Sequence, residues 1–299
     1  MKIYSDIDEI NDQIELSIDK FGYTPDHNLE WLIYCSDEGK PCVAMWDDNS
    51  MIWFYYNENA KQYVIVSDPI APQDLHDRML DEFCDYVIKQ NASIYFMDVR
   101  ENVFDYIRKN YDDKYKSDYE LIWPVVSIQL FDPALPGGHF KDLRNALHKF
   151  SREHKVDIRL ARDISGSNLH GIVDRWHAER AKDNIDVSSG RYHNMIDNDF
   201  IGTKIARVLI VDNKPVGFNA GWETPNDSNQ WSASIGIHDY SIKDLGIALL
   251  HEDLVWIKTA GYATTDLEGS EEKPLKFKTQ FFSEKEYTTY KTYSFYINK

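Results

Sequence analysis

The sequence predicts a mixed α/β fold, of α+β type, in two successive halves, and three features carry that prediction. First, DLGIALLHEDLVWIKTAGY (244–262) is patterned as a long helix, and a short strand, an acidic turn and a compact helix over 273–282 follow it. Second, RVLIVDNKPVGFNAGW (207–222) holds two apolar runs joined by Asp212-Asn213-Lys214, a hairpin signal, and NQWSASIGIHD (229–239) alternates as a further strand. Third, DPALPGG (132–138) places two prolines and two glycines between stretches that share one order of elements, setting a boundary between 1–138 and 139–299.

Along the first half the pattern reads as a helix near 6–20 and strands at 31–36, 41–46, 51–56 and 62–67, closed by the turn SDPIAP. A helix over 73–90 follows, with Leu75, Met79, Phe83 and Val87 recurring every four residues. Strand SIYFMDV (93–99), a helix over 101–110 and strands near 118–131 complete this half. The second half reads as helix 139–154, strand 156–161, helices 166–182 and 191–200, and strands 205–212, 215–222 and 230–237. Helix 244–260, strand 262–267, helix 273–282 and strand 287–297 then end the chain.

Composition narrows the class. The 299 residues suffice for a large core, and no apolar run is long enough to span a bilayer, so no stable membrane insertion is expected. MKIYSDIDEI lacks a basic stretch leading into an apolar one, and Cys35, Cys42 and Cys84 have no C-x-x-C spacing. A soluble cytoplasmic protein without structural disulfides or a metal site is therefore expected. Residues 1–138 carry 11 Lys and Arg against 27 Asp and Glu, whereas 139–299 carry 22 against 23. The net charge of −17 opposes broad binding to a nucleic-acid backbone, and nearly all the excess acid lies in the first half.

Three groups of residues resemble one known family. Trp256 to Gly261-Tyr262, Asp266-Leu267 and Phe277-Lys278 to Phe281 are similar to the closing segment of phosphatidylglycerol lysyltransferase C-terminal domains and their free-standing relatives. Ser67-Asp68-Pro69 resembles that family's Gly-Asp-Pro turn, and Leu143-Arg144-Asn145-Ala146-Leu147 to Arg152 its basic helix opening the second domain. The resemblance covers most of the chain. It implies two tandem GNAT-like domains, each a mixed, mostly antiparallel sheet flanked by helices, with 1–138 on the acceptor side and 139–299 on the donor side. It also implies transfer of an aminoacyl group from aminoacyl-tRNA to a lipid or small-molecule acceptor, with no further cofactor. The related peptidoglycan-bridge transferases act on a peptide amine, and ordinary GNAT enzymes use acyl-CoA. One departure stands out. Lysyl-lipid synthases bear an acidic and a basic residue on the strand before the long helix, where this chain has Trp231-Ser232-Ala233-Ser234-Ile235-Gly236.

Candidate site residues follow. On helix 139–154, Lys141, Arg144, His148, Arg152 and Lys155 recur at steps of three or four, suiting either a solvated face or the phosphates of a tRNA acceptor end or CoA. GNAT enzymes bind the CoA pyrophosphate at the start of the long helix, which here reads Lys243-Asp244-Leu245-Gly246. Lys243 and Gly246 are donor-binding candidates, while Asp244 would repel a pyrophosphate, which favours aminoacyl-tRNA over acyl-CoA. Lys278, among Phe277, Phe281 and Phe282, either snorkels to water or touches the donor and the developing oxyanion. Asp266 and Glu268 are candidates for the general base. His251-Glu252 lacks the second histidine of a metalloprotease, and no phosphate-binding glycine motif is present. The expected activity is acyl transfer. An acyl-CoA N-acyltransferase and a catalytically silent interaction module of the same fold are the alternatives.

Overall fold

The structure, a computed structural model, describes residues 1–182 and 188–298. β1 (Lys2–Tyr4), α1 (Asn11–Phe21) and α2 (Leu29–Cys35) precede three antiparallel strands, β2 (Lys40–Met45), β3 (Met51–Asn57) and β4 (Gln62–Val66). α3 (His76–Lys89) crosses to β5 (Ser93–Arg100), parallel to β4, and α4 (Glu101–Asn110) leads into β6 (Tyr115–Ser127). The fourfold spacing turns Met79, Phe83 and Val87 of α3 onto the sheet, where they are fully buried.

One element differs in type from its pattern. The run expected as strand 31–36 is helix α2, started by the Asn28 side chain, which accepts the Trp31 N–H at 3.0 Å. Leu29, Trp31, Leu32, Tyr34 and Cys35 are all buried, so the helix is apolar on every side and shows no period to distinguish it from a strand.

In the second half, α5 (Lys141–Glu153) precedes β7 (Val156–Leu160), and α6 (Gly166–Lys182) and α7 (Gly190–Asp197) precede β8 (Ile205–Val211), β9 (Lys214–Thr224) and β10 (Asp227–His238). Asp212 and Asn213 turn β8 into β9 with φ of 50° and 66°, the left-handed values a tight hairpin needs. α8 (Leu245–Ala260), stopped by Gly261 at φ 93°, crosses to β11 (Thr264–Asp266), parallel to β10. α9 (Glu272–Thr279) then leads into β12 (Tyr287–Ile297). Each half thus runs three antiparallel strands, a helix, a parallel strand, a helix and a closing strand.

Instead of two sheets, hydrogen bonding runs unbroken through one sheet of twelve strands, ordered β1-β2-β3-β4-β5-β12-β6-β11-β10-β9-β8-β7. The closing strands are exchanged: β12 lies between β5 and β6, and β6 pairs with β11. Side chains join the halves as well. Ile14, Leu32 and Trp53 share one buried cluster with Ile172, Phe218 and Trp222, each burial contributing about 1.5–3 kcal/mol. Among the described residues, no helix is long and apolar enough to cross a membrane.

Candidate active site

β11 pairs with β10 only from Gln230 to Ser232, opposite Thr264 to Asp266, and beyond that point the two parallel strands part. Open sheets bind ligands at the carboxyl ends of such strands. A slot of about 80 Å³ occupies the gap, lined by Gly236, His238, Gly246, Phe277, Lys278 and Glu268 among others. α8 starts beside it with no side-chain cap on its first N–H groups. Gly246 permits this approach, since an added Cβ would lie 2.7 Å from His238 Nε2 and 3.2 Å from Phe277 Cζ. Burial lowers His238 to about 4, so its imidazole is neutral at pH 7.

Behind the slot lies a smaller chamber of about 50 Å³, lined by Asp26, Trp31, Cys35, Asp98, Arg191 and Glu268 among others. It sits at the carboxyl ends of both parallel pairs. Asp98, in β5, and Glu268, just beyond β11, occupy matching places in the two halves, and both have left-handed backbones with φ of 55° and 67°. The exchanged strand β12 holds Asp98, whose N–H donates to Ser294 Oγ at 3.0 Å. Trp31 Nε1 donates to Asp26 at 3.0 Å. Burial, then the neighbouring Asp98 charge, pushes Asp26 up to about 7, and burial pushes Asp98 up to about 6. Glu268 is also raised by burial, with Lys278 opposing the shift. Glu268 lines slot and chamber alike, and so joins them.

The expected site residues divide. Lys278 lines the slot, where its Nζ donates to the carbonyls of Glu268 at 3.1 Å and Gly269 at 3.5 Å. Burial lowers its pKa, opposed by the charges of Glu268 and Asp266. Asp266 is buried and lines neither cavity. It accepts the Glu268 N–H at 2.9 Å and the Tyr290 hydroxyl at 2.8 Å, which makes it the brace of the turn that aims Glu268. Gly246 lines the slot, and Lys243 is exposed on the turn before α8.

The basic helix is not brought to the slot. Arg144 and His148 line a separate cleft with Ala248, His251 and Glu252, whereas the slot uses Gly246, Leu250 and Asp253 on the opposite side of α8. Arg152 is exposed and lines neither cavity. Phe150 of α5 packs with Leu245, Ala248 and Leu249, so α8 stands between the two. Arg144 donates to the carbonyls of Leu135 and Gly137 and fixes the 132–138 segment. The Ser67-Asp68-Pro69 turn is held by hydrogen bonds, with buried Asp68 accepting from Tyr23 and from the Arg100 N–H.

Asp26, Asp98, Arg191 and His238 were not singled out by the sequence. Asp98 had a visible signal, a carboxylate inside the apolar strand SIYFMDV, and His238-Asp239 ends a strand just before the long helix. Asp26 and Arg191 sit in polar surroundings that conceal them.

Comparison with known proteins bears on the family and the fold. The family model described as phosphatidylglycerol lysyltransferase, C-terminal, matches residues 28–269. The C-terminal domain of a putative lysylphosphatidylglycerol synthetase from Agrobacterium fabrum superposes with a TM-score of 0.68 at 15% identity, covering 98% of this chain and 92% of that one. L-PGS from Bacillus licheniformis gives 0.64 at 14% identity over 95% and 90% of the two chains. A tandem GNAT protein from the clavulanic acid biosynthesis pathway gives 0.58 at 9% identity over 99% and 98%. At such identities the superpositions speak for the fold. No match is found among curated proteins.

Proposed function

The chain belongs to the phosphatidylglycerol lysyltransferase C-terminal family, and from that premise we propose that it moves an aminoacyl group from aminoacyl-tRNA to an amine or hydroxyl of a small-molecule or lipid acceptor. The observation that carries this reading is the junction at Glu268, which is shared by the slot beside the start of α8 and a chamber lined by carboxylates. Asp26, Asp98 and Glu268 attract an acceptor amine, in its ammonium form, to the chamber side of Glu268. Asp244, directly before α8, also opposes a pyrophosphate there.

In this reading the acceptor attacks the ester carbonyl, its C–O bond to the ribose breaks, and the ribose hydroxyl leaves. Glu268 takes the acceptor's proton, and Lys278 stabilises the developing oxyanion. The second half supplies the slot, and the first supplies Asp26 and Asp98. The test is product formation from mixed charged tRNA or from acetyl-CoA. RNase-sensitive product with charged tRNA is expected, and saturable turnover of acetyl-CoA that survives RNase would overturn the reading.

A further inference from the structure

Arg191 acts on Asp98 and Glu268 through its charge, but most of the chamber's charged groups are not held in close ion pairs. Among the described residues, Asp26, Asp98 and Arg191 have no opposite charge within 4.0 Å, and Glu268 alone is paired, with Lys278 at 3.6 Å. Among the described residues, Arg191 Nε is buried without a hydrogen-bond partner, and Nη1 reaches only the Cys35 Sγ, at 3.6 Å. A buried guanidinium N–H with an unmade hydrogen bond is costly unless a ligand supplies the acceptor. The carboxylates want a cation in the same cavity that offers this N–H to an anion.

We propose that the chamber binds a free α-amino acid as the acceptor, its ammonium on Asp26 and Asp98 and its carboxylate on Arg191. This rests on the acyl-transfer reading above and names its acceptor class. The aminoacyl group of the donor does not meet the requirement, because its carboxyl is esterified and brings Arg191 no anion. A simple amine leaves Arg191 unsatisfied, and a phosphate without an ammonium meets three carboxylates. Only adjacent opposite charges answer both sides of a cavity of about 50 Å³. The reaction balances: the ammonium gives one proton to Glu268, and its nitrogen attacks the ester carbon. The ester C–O bond breaks, the second proton passes to the ribose oxygen, and an amide, a free tRNA end and one released proton result.

The test is direct binding, without donor. The standard L-amino acids are screened against the intact protein by thermal shift. The best binder is then compared with its own carboxamide, which keeps the ammonium and loses the anion, by calorimetry. The amino acid should bind about tenfold or more tighter than the amide, as expected for one charge-assisted hydrogen bond. Arg191→Gln should abolish that preference, and Asp98→Asn should weaken both ligands. Equal affinity for acid and amide in the wild-type protein, or no amino acid binding at all, overturns the proposal. The wild-type comparison decides even where Arg191→Gln fails to fold. Product formation that survives RNase would instead overturn the donor reading, and leaves this comparison untouched.

Discussion

Lys278 grips Glu268 twice, donating to its carbonyl at 3.1 Å while its Nζ sits 3.6 Å from its carboxylate. One ammonium therefore fixes both the backbone and the side chain of the residue shared by slot and chamber. Residues coupled this closely act as a unit. Lys278→Ala and Glu268→Gln are each expected to lower kcat by about a hundredfold or more, and the double variant should fall little further. Multiplying losses in steady-state assays with charged tRNA would show separate roles.

The acid chamber makes stability depend on pH. Asp98, at about 6, and Asp26, at about 7, hold protons in the folded chain that ordinary carboxylates have already released. The folded state therefore binds more protons than the unfolded one, and stability falls as pH rises from about 4 to about 7. Asp98→Asn removes one such group. It should flatten the slope of Tm between about pH 4 and pH 6 and raise stability at the upper end by roughly 1–2 kcal/mol. An unchanged slope in thermal unfolding would contradict this account.

The slot narrows at Gly246. Gly246→Val inserts methyl groups where His238 and Phe277 already stand within 3.2 Å of an added Cβ. Overpacking of this kind costs about 1–3 kcal/mol, which the fold is expected to tolerate. Donor binding should weaken about tenfold or more, with acceptor binding in the chamber unchanged. Equal losses for both ligands, measured by calorimetry, would mean that slot and chamber are one site.

Cutting the chain within 132–138 separates each half of the sheet from a strand it needs. The first piece lacks β12, which pairs with β5 and carries the Ser294 hydroxyl that holds Asp98. The second lacks β6, the partner of β11. Neither piece alone should show a cooperative unfolding transition, and co-expression should restore one. A folded first piece, seen by circular dichroism and calorimetry, would refute the requirement for exchange.

The sequence made legible what is local. The Asp212-Asn213 hairpin, α3 and the run α8–β11–α9 follow from period, turn chemistry and caps within short windows, and Lys278 and Glu268 come with them. The exchange of β6 and β12 was hidden because strand pairing leaves no mark on either strand's own pattern. The basic face of α5 was real as a pattern. Amphipathicity tells which side of a helix is wet and is silent on which neighbour it packs against, and that neighbour, α8, screens Arg144 and His148 from the slot. The chamber was largely invisible for a similar reason: Asp26, Asp98, Arg191 and Glu268 come from four separate places in the chain.

The exchanged strands bear on how the protein is made. A ribosome delivers β5 long before β12, so the central edge of the first sheet stays unpaired until residues 287–297 emerge. An open strand edge is a template for pairing with other chains. The strand that joins the two halves at the centre of the sheet and, through the Ser294 hydroxyl, holds Asp98 is thus the last of the twelve to be made.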